Sequence, residues 1–250
     1  MTAIFVTGTG TDVGKTFITA ALIRHARARG GAVEAFKPVL SGFDPAAAAM
    51  SDAGVLLAAL GRPVADVTID RMSPWRFAAP LSPDLAAARE GRALDFGAVV
   101  EFSRRAAAGG GLVLMEGVGG VMVPLDATHT VLDWMSELCA PVLLVAGSYL
   151  GTISHTLTAL RVLAQRNLDI AAVVISESPS PGATLDETVA AITRFAGAST
   201  LPSPATGGGK GRPFNVIGVP RLSADAESHP AIARIAGLIH VASTYPGSCS

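Results

Sequence analysis

Short β-branched and aliphatic runs alternate with alanine-rich stretches of helical period along this chain, and nearly every run ends in Gly, Ser, Pro or an acid. Strands are expected near Ala3–Thr7, Val33–Lys37, Leu112–Glu116, Val142–Ala146, Ala172–Ser176 and Asn215–Val219. They are continuously apolar, as strands are when helices cover both faces of a parallel sheet. Helices are expected between them, near Lys15–Arg29, Phe96–Ala107, Thr152–Gln165 and Leu185–Phe195. This alternation predicts an α/β fold, a doubly wound, mainly parallel sheet with helices on both faces. Ligands in such sheets bind beyond the carboxyl ends of the strands. The residues that follow each apolar run are therefore the ones to read for chemistry.

Composition narrows the class. The 250 residues are expected to form a single domain over 1–240, with a small polar tail over 241–250 expected to be disordered. Gly197–Pro213 reads as a long flexible loop, because a strand follows it. The chain is 50% hydrophobic with a mean hydropathy of +0.46, but much of this is alanine. Its longest strongly apolar stretch, around Pro141–Ala146, falls far short of the roughly 18–20 residues that span a bilayer. The N-terminus lacks the basic region of a secretory signal. Two cysteines, Cys139 and Cys249, support neither a disulfide framework nor a structural zinc site, and a cytoplasmic setting fits best. A net charge of −1 provides no basic field for nucleic acid, and Arg24, Arg27 and Arg29 read as one solvated helix face. Of 19 basic residues only Lys15, Lys37 and Lys210 are lysine. A chain that solubilises itself with arginine has a particular reason for each lysine.

The first apolar run leads into Gly8-Thr9-Gly10-Thr11-Asp12-Val13-Gly14-Lys15-Thr16, and a helix begins at once. This is a P-loop with five residues, where four are usual, between the first glycine and Gly-Lys-Thr. Small residues let backbone N–H groups face phosphates, and the helix N-terminus adds partial positive charge. Lys15 is expected to reach the β- and γ-phosphates and the Thr16 hydroxyl to ligate magnesium. A dinucleotide fingerprint would need glycine at Val13, and the DNA-partitioning ATPases carry an extra lysine where this chain has Gly10.

Two further strand ends bear on the same crevice. The second strand ends in Lys37-Pro38-Val39-Leu40-Ser41-Gly42, so Lys37 points toward the P-loop and Ser41 can offer a hydroxyl. As a strand-end lysine, Lys37 is expected to be exposed and to add little to the core. Leu112–Met115 runs into Glu116, the expected acid of a magnesium shell, and Gly117 and Gly119 let backbone approach a ligand. Asp52 opens a helical stretch, where capping the helix and joining the shell are equally open.

Taken together, the P-loop, Lys37-Pro38-Val39-Leu40-Ser41-Gly42 and Glu116-Gly117-Val118-Gly119-Gly120 resemble the dethiobiotin synthetase family. Phe77–Pro83, Glu90-Gly91-Arg92 and Leu150–His155 fit the same family, and the matches run in order from residue 3 to about residue 222. The resemblance implies a cytoplasmic homodimer that makes dethiobiotin from 7,8-diaminopelargonic acid, carbon dioxide and ATP with Mg2+. It implies catalytic roles for Lys15, Lys37 and Thr11, and a magnesium shell of Thr16, Asp52 and Glu116. ATP would lie on Asp12, Val13, Gly14, Lys15, Thr16, Phe17, Gly117, Val118 and Gly119. Its base would meet Ser176, Glu177, Val219, Pro220 and Arg221. Ser41 would contact the diamine, and Gly151, Thr152 and Ser154 of a partner subunit would receive its carboxylate. The chain departs from the family's usual residues at Ser154, where asparagine is usual, and at Ser176-Glu177, where Asn-Asp is frequent. The alternative function is a nucleotide-gated, partner-binding P-loop switch, for which the sequence offers neither an extra loop lysine nor an effector surface. A related amidoligase would need a glutaminase domain, for which 250 residues leave no room.

Overall fold

Six of the apolar runs form one sheet in the computed structural model, which describes residues 3–198, 214–222 and 226–243. The elements are β1 (Ala3–Gly8), α1 (Lys15–Ala28), β2 (Val33–Phe36), β3 (Val39–Ser41), α2 (Asp52–Ala59), α3 (Asp66–Met72), β4 (Trp75–Phe77), α4 (Pro83–Arg89) and α5 (Phe96–Ala107). They continue with β5 (Leu112–Glu116), α6 (Val131–Leu138), β6 (Val142–Gly147), α7 (Thr152–Gln165), β7 (Ile170–Ser176), α8 (Leu185–Ala198), β8 (Asn215–Val219) and α9 (Pro230–Ser243). The main sheet has the order β2-β5-β1-β6-β7-β8, with every neighbouring pair parallel. The order turns outward in both directions from β1. A crevice therefore opens where the chain leaves this strand, as the doubly wound architecture requires.

Period-two alternation explains why the strands read as apolar throughout. Phe5, Val113, Met115 and Leu144 face one side, where α5, α6, α7 and α8 add Val99, Trp134, Leu160 and Ile192. Ile4, Val6, Leu114 and Leu143 face the other, under Ile18 and Leu22 of α1, Leu56 of α2 and Ile235 of α9. Trp134 fills the first layer edge-on to Phe5 and donates its Nε1–H to Ser103 Oγ at 3.0 Å. Its one polar group is thereby satisfied inside the core.

The fold class agrees with the sequence expectation, and the strand ends agree to within two residues. Three local differences stand out. β2 stops at Phe36, and Lys37-Pro38 leaves the main sheet to start β3, which pairs in parallel with β4 as a separate two-stranded sheet. Arg27 is exposed with Arg29, as expected of a solvated face, but its Nη1 also donates to Ala59 O at 2.7 Å and ties α1 to α2. α9 carries on to Ser243, past the residue 241 at which a tail was expected. Residues 199–213 of the expected loop, Lys210 and Cys249 lie outside the described residues.

Candidate active site at the carboxyl edge of the sheet

β1 ends at Gly8 and α1 begins at Lys15, so the intervening loop wraps the mouth of the crevice. Gly14 caps the helix with φ 95°, and a Cβ there would lie 2.6 Å from Ser176 Oγ, so the turn both needs a glycine and packs against β7. No side chain caps α1, which leaves its first N–H groups to an anion. The Lys15 side chain curls back into the loop and donates to Gly10 O at 2.7 Å. Burial, with the nearby charge of Lys37, lowers its pKa to about 8.

Beside the loop, four elements deliver one charged cluster. Lys37 Nζ lies 2.7 Å from Glu116 Oε1 and 2.8 Å from Asp52 Oδ2, and also donates to Gly117 O at 3.3 Å. Thr16 Oγ1 donates to the same Glu116 Oε1 at 2.7 Å. Lys37 is only 2% exposed and Glu116 is fully buried, which corrects the expectation of an exposed lysine. Its acid partners allow the burial. Burial alone would lower the Lys37 pKa, but the Glu116 and Asp52 carboxylates outweigh it and raise the pKa. Asp52 keeps a side chain 41% exposed. Burial would raise its pKa, and the Lys37 ammonium outweighs that and holds it below the ordinary carboxylate range. Asp52 is not the cap of α2, because Ser51 Oγ accepts from Gly54 N at 3.2 Å and the Asp52 carboxylate turns to Lys37. Glu116 Oε2 is buried and has no hydrogen-bond partner among the described residues.

Thr16, Lys37 and Asp52 of this cluster, with Glu116 buried behind them, help wall a chamber of about 470 Å³. Thr11, Lys15, Thr16, Lys37, Ser41 and Asp52 give it polar wall, while Leu40, Pro80, Leu81, Val118 and Val123 give it apolar wall. Ser41 Oγ is buried there without a hydrogen-bond partner among the described residues. On the other side of the loop a cleft of about 280 Å³ shares Asp12, Gly14 and Phe17 with the chamber and adds Val13, Ser176, Glu177 and Arg221. Here each tie has a backbone donor: Glu177 N donates to Val219 O at 2.9 Å, and Arg221 N to the Glu177 carboxylate Oε2 at 2.8 Å.

Most residues singled out from the sequence thus meet around one loop. Glu116, Gly117, Val219 and Pro220 line neither space, although Glu116 meets Lys37 and Thr16 of the chamber wall, and Gly117 and Val219 touch the site through their carbonyls. Gly151, Thr152 and Ser154 are not brought to it within one chain. Thr152 is buried with its hydroxyl on Gly147 O at 2.6 Å, and Gly151 and Ser154 face outward. Leu40, Pro80, Leu81, Ser82 and Val123 were not singled out as site residues, yet they line the chamber. The signal for three of them lay in the segment Phe77–Pro83, which carried a resemblance and no role.

No helix among the described residues is long and apolar enough to cross a membrane. A family model described as an AAA domain matches residues 2–203. The ATP-dependent dethiobiotin synthetase BioD of Methylobacterium nodulans is 54% identical over 217 residues, covering 84% of this chain and 95% of that protein. The protein of the same name from Acidiphilium cryptum is 48% identical, covering 81% of this chain and 92% of that one. A solved ParA family ATPase from Chlorobium tepidum TLS is similar over 99% of this chain and 96% of that chain, at 16% identity and a TM-score of 0.47. With relatives this similar over nearly their whole length, the chain belongs to the ATP-dependent dethiobiotin synthetase family.

Proposed function

We propose that this protein is a cytoplasmic ligase that forms dethiobiotin from 7,8-diaminopelargonic acid, carbon dioxide and ATP. The observation that carries this reading is the 470 Å³ chamber beside the phosphate loop. Its wall joins two lysines and an unpartnered buried hydroxyl to a set of apolar side chains, which suits an aliphatic chain bearing reactive amines. A nucleotide switch that binds a macromolecular partner has no use for such a chamber.

One amine takes up carbon dioxide and loses a proton, giving a carbamate anion. Lys37 and Lys15 are the cations in the wall that can face this anion, and Ser41 Oγ is free to donate to it. Thr11, at the exposed lip of the loop, completes the set around the reacting groups. The carbamate oxygen attacks the γ-phosphorus and ADP leaves. The second amine then attacks the carbonyl carbon of the carbamic-phosphoric anhydride, which closes the cyclic urea and expels phosphate. The protein's part is position and charge, with no covalent nucleophile of its own.

The phosphates would lie on the N–H groups from Asp12 to Phe17, and the base in the cleft formed by Ser176, Glu177 and the Val219–Arg221 turn. Thr16, Asp52 and Glu116 would hold Mg2+. The buried, unpartnered Glu116 Oε2 is an anionic oxygen in need of a cation, and a hydroxyl with two carboxylates is an oxygen set that magnesium accepts. Among the described residues no three His, Cys, Asp or Glu side chains converge; magnesium commonly takes the rest of its shell from phosphate and water. When bound it supplies neutralising charge at the phosphates. The outward-facing start of α7 at Gly151–Ser154 supports a homodimer in which this turn receives the carboxylate of the partner's substrate. A monomer by sedimentation at assay concentration would sink that part.

The deciding experiment is phosphate release from ATP with the diamine, bicarbonate, both or neither. Release only with both supports the ligase. Release from ATP alone at the same rate would overturn it in favour of the switch.

A further inference from the structure

We infer that Glu90 and Arg92, which line neither cavity, are positioning residues for the chamber's substrate, acting by completing the open edge of the β3–β4 sheet. The inference rests on the ligase reading. Phe77, the last residue of β4, turns its own carbonyl toward the β3 side, where it accepts from Phe43 N at 2.9 Å. The neighbouring Arg76 C=O and Ala78 N–H are the groups a third parallel strand would take. Two side chains take them instead. Ala78 N donates to Glu90 Oε1 at 2.7 Å, and Arg92 Nη1 donates to Arg76 O at 3.1 Å. Arg92 Nη1 also donates to Glu90 Oε2 at 2.8 Å, and its guanidinium lies 4.9 Å from the centre of the Phe77 ring.

What this edge carries is the chamber wall. Pro80, Leu81 and Ser82 follow within five residues of Phe77, and α4 then runs back to Glu90. The pair therefore closes the base of a hairpin-like segment whose inner side is Pro80–Ser82. On the β3 side the same segment is held by Gly42 N donating to Ala79 O at 3.0 Å, and Gly42 packs against Pro80. With both edges tied, Leu81 stands fixed in the same wall as Ser41 and Lys37. An exposed ion pair adds little to global stability, whereas small displacements in a substrate wall are costly to turnover.

The test uses the full-length protein. Glu90→Ala should raise KM for the diamine by about tenfold, with KM for ATP and the melting temperature nearly unchanged. Glu90→Gln, whose amide oxygen can still accept from Ala78 N, should recover most of the loss. Hydrogen exchange at the Ala78, Ala79, Leu81 and Ser82 amides should quicken in Glu90→Ala and in Arg92→Ala without any substrate present. Unchanged exchange, or equal rises in KM for ATP and the diamine, overturns the assignment. If the wild type turns over ATP without the diamine, the ligase reading fails, and the exchange measurement still decides whether the edge is held in this way.

Discussion

The phosphate loop has two neighbours built in opposite ways. On the Lys37 side, side chains from α1, α2, β5 and the turn after β2 meet directly, and the Lys37 and Glu116 charges are buried. On the Ser176 side both ties have a backbone donor, one to Val219 O and one to the Glu177 carboxylate, and the charged residues lie near the surface. Stabilising charge in a site that excludes water demands particular side chains at particular strand ends. Enclosing a flat ring demands mainly that two loops run close together. The first side should therefore fail sharply when one side chain is changed, and the second should change its preferences gradually.

Lys37→Ala should produce the largest effect. It removes a cation from the reacting groups, a loss of ~10²–10³ in rate. It also strands the buried Glu116 carboxylate, and breaking a buried pair costs ~3–5 kcal/mol. The lower end applies here, because Asp52 stays open to solvent. Lys37→Ala should melt well below the wild type in magnesium-free buffer, and Lys37→Met with Glu116→Gln should regain much of that stability, since both charges have gone. An unchanged melting temperature in Lys37→Ala would break the picture of a buried, mutually dependent cluster.

This is also where the sequence was least informative. Lys37 looked like a solvent-facing lysine because one acid that buries it lies 79 residues away in sequence, and local pattern carries no trace of such a pairing. The six long strands were legible because each carries a run of apolar residues that packs between the helical layers. β3 and β4, with three residues each, are too short to show any period. α6 was a different kind of omission. Val131, Leu132, Met135 and Leu138 share one face, and Asp133 Oδ2 accepts from Thr130 N at 2.8 Å, a helix-start signature that stood in the sequence unread. The chamber wall at Pro80–Ser82 was hidden for a physical reason: proline and leucine there offer shape, and shape at a distance has no motif.

Glu116→Gln should have a smaller and more selective effect on the same side. The amide keeps an oxygen for Thr16 and Lys37 but gives up the charge. The half-maximal magnesium concentration should rise by about ten- to a hundredfold, the value of one charge-assisted contact of ~1.5–3 kcal/mol. Nucleotide affinity without metal, measured by calorimetry, should hardly move. A magnesium midpoint equal to that of the wild type would remove Glu116 from the metal shell.

The smallest effect should lie in the cleft, and it sharpens the comparison most. Glu177 already spends Oε2 on Arg221 N, which leaves Oε1 to accept from a base. Adenine and cytosine both present an exocyclic amine to such an acceptor, whereas guanine presents a carbonyl that the carboxylate repels. Ser176 has a single short hydroxyl beside Gly14, where an asparagine amide could donate and accept at once. A lost bidentate contact is worth roughly 1–3 kcal/mol of discrimination. The protein should therefore accept CTP within about one to two decades of ATP in kcat/KM and use GTP poorly. Ser176→Asn should move the balance toward ATP, and Glu177→Gln should admit GTP. The measurement is kcat/KM for the three triphosphates in the three proteins. If the wild type already rejects CTP by more than ~10⁴, a level that needs well-matched polar partners, side chains at 176 and 177 do not set the choice. The reading must then fall to the backbone of the Val219–Arg221 turn, whose groups no substitution removes.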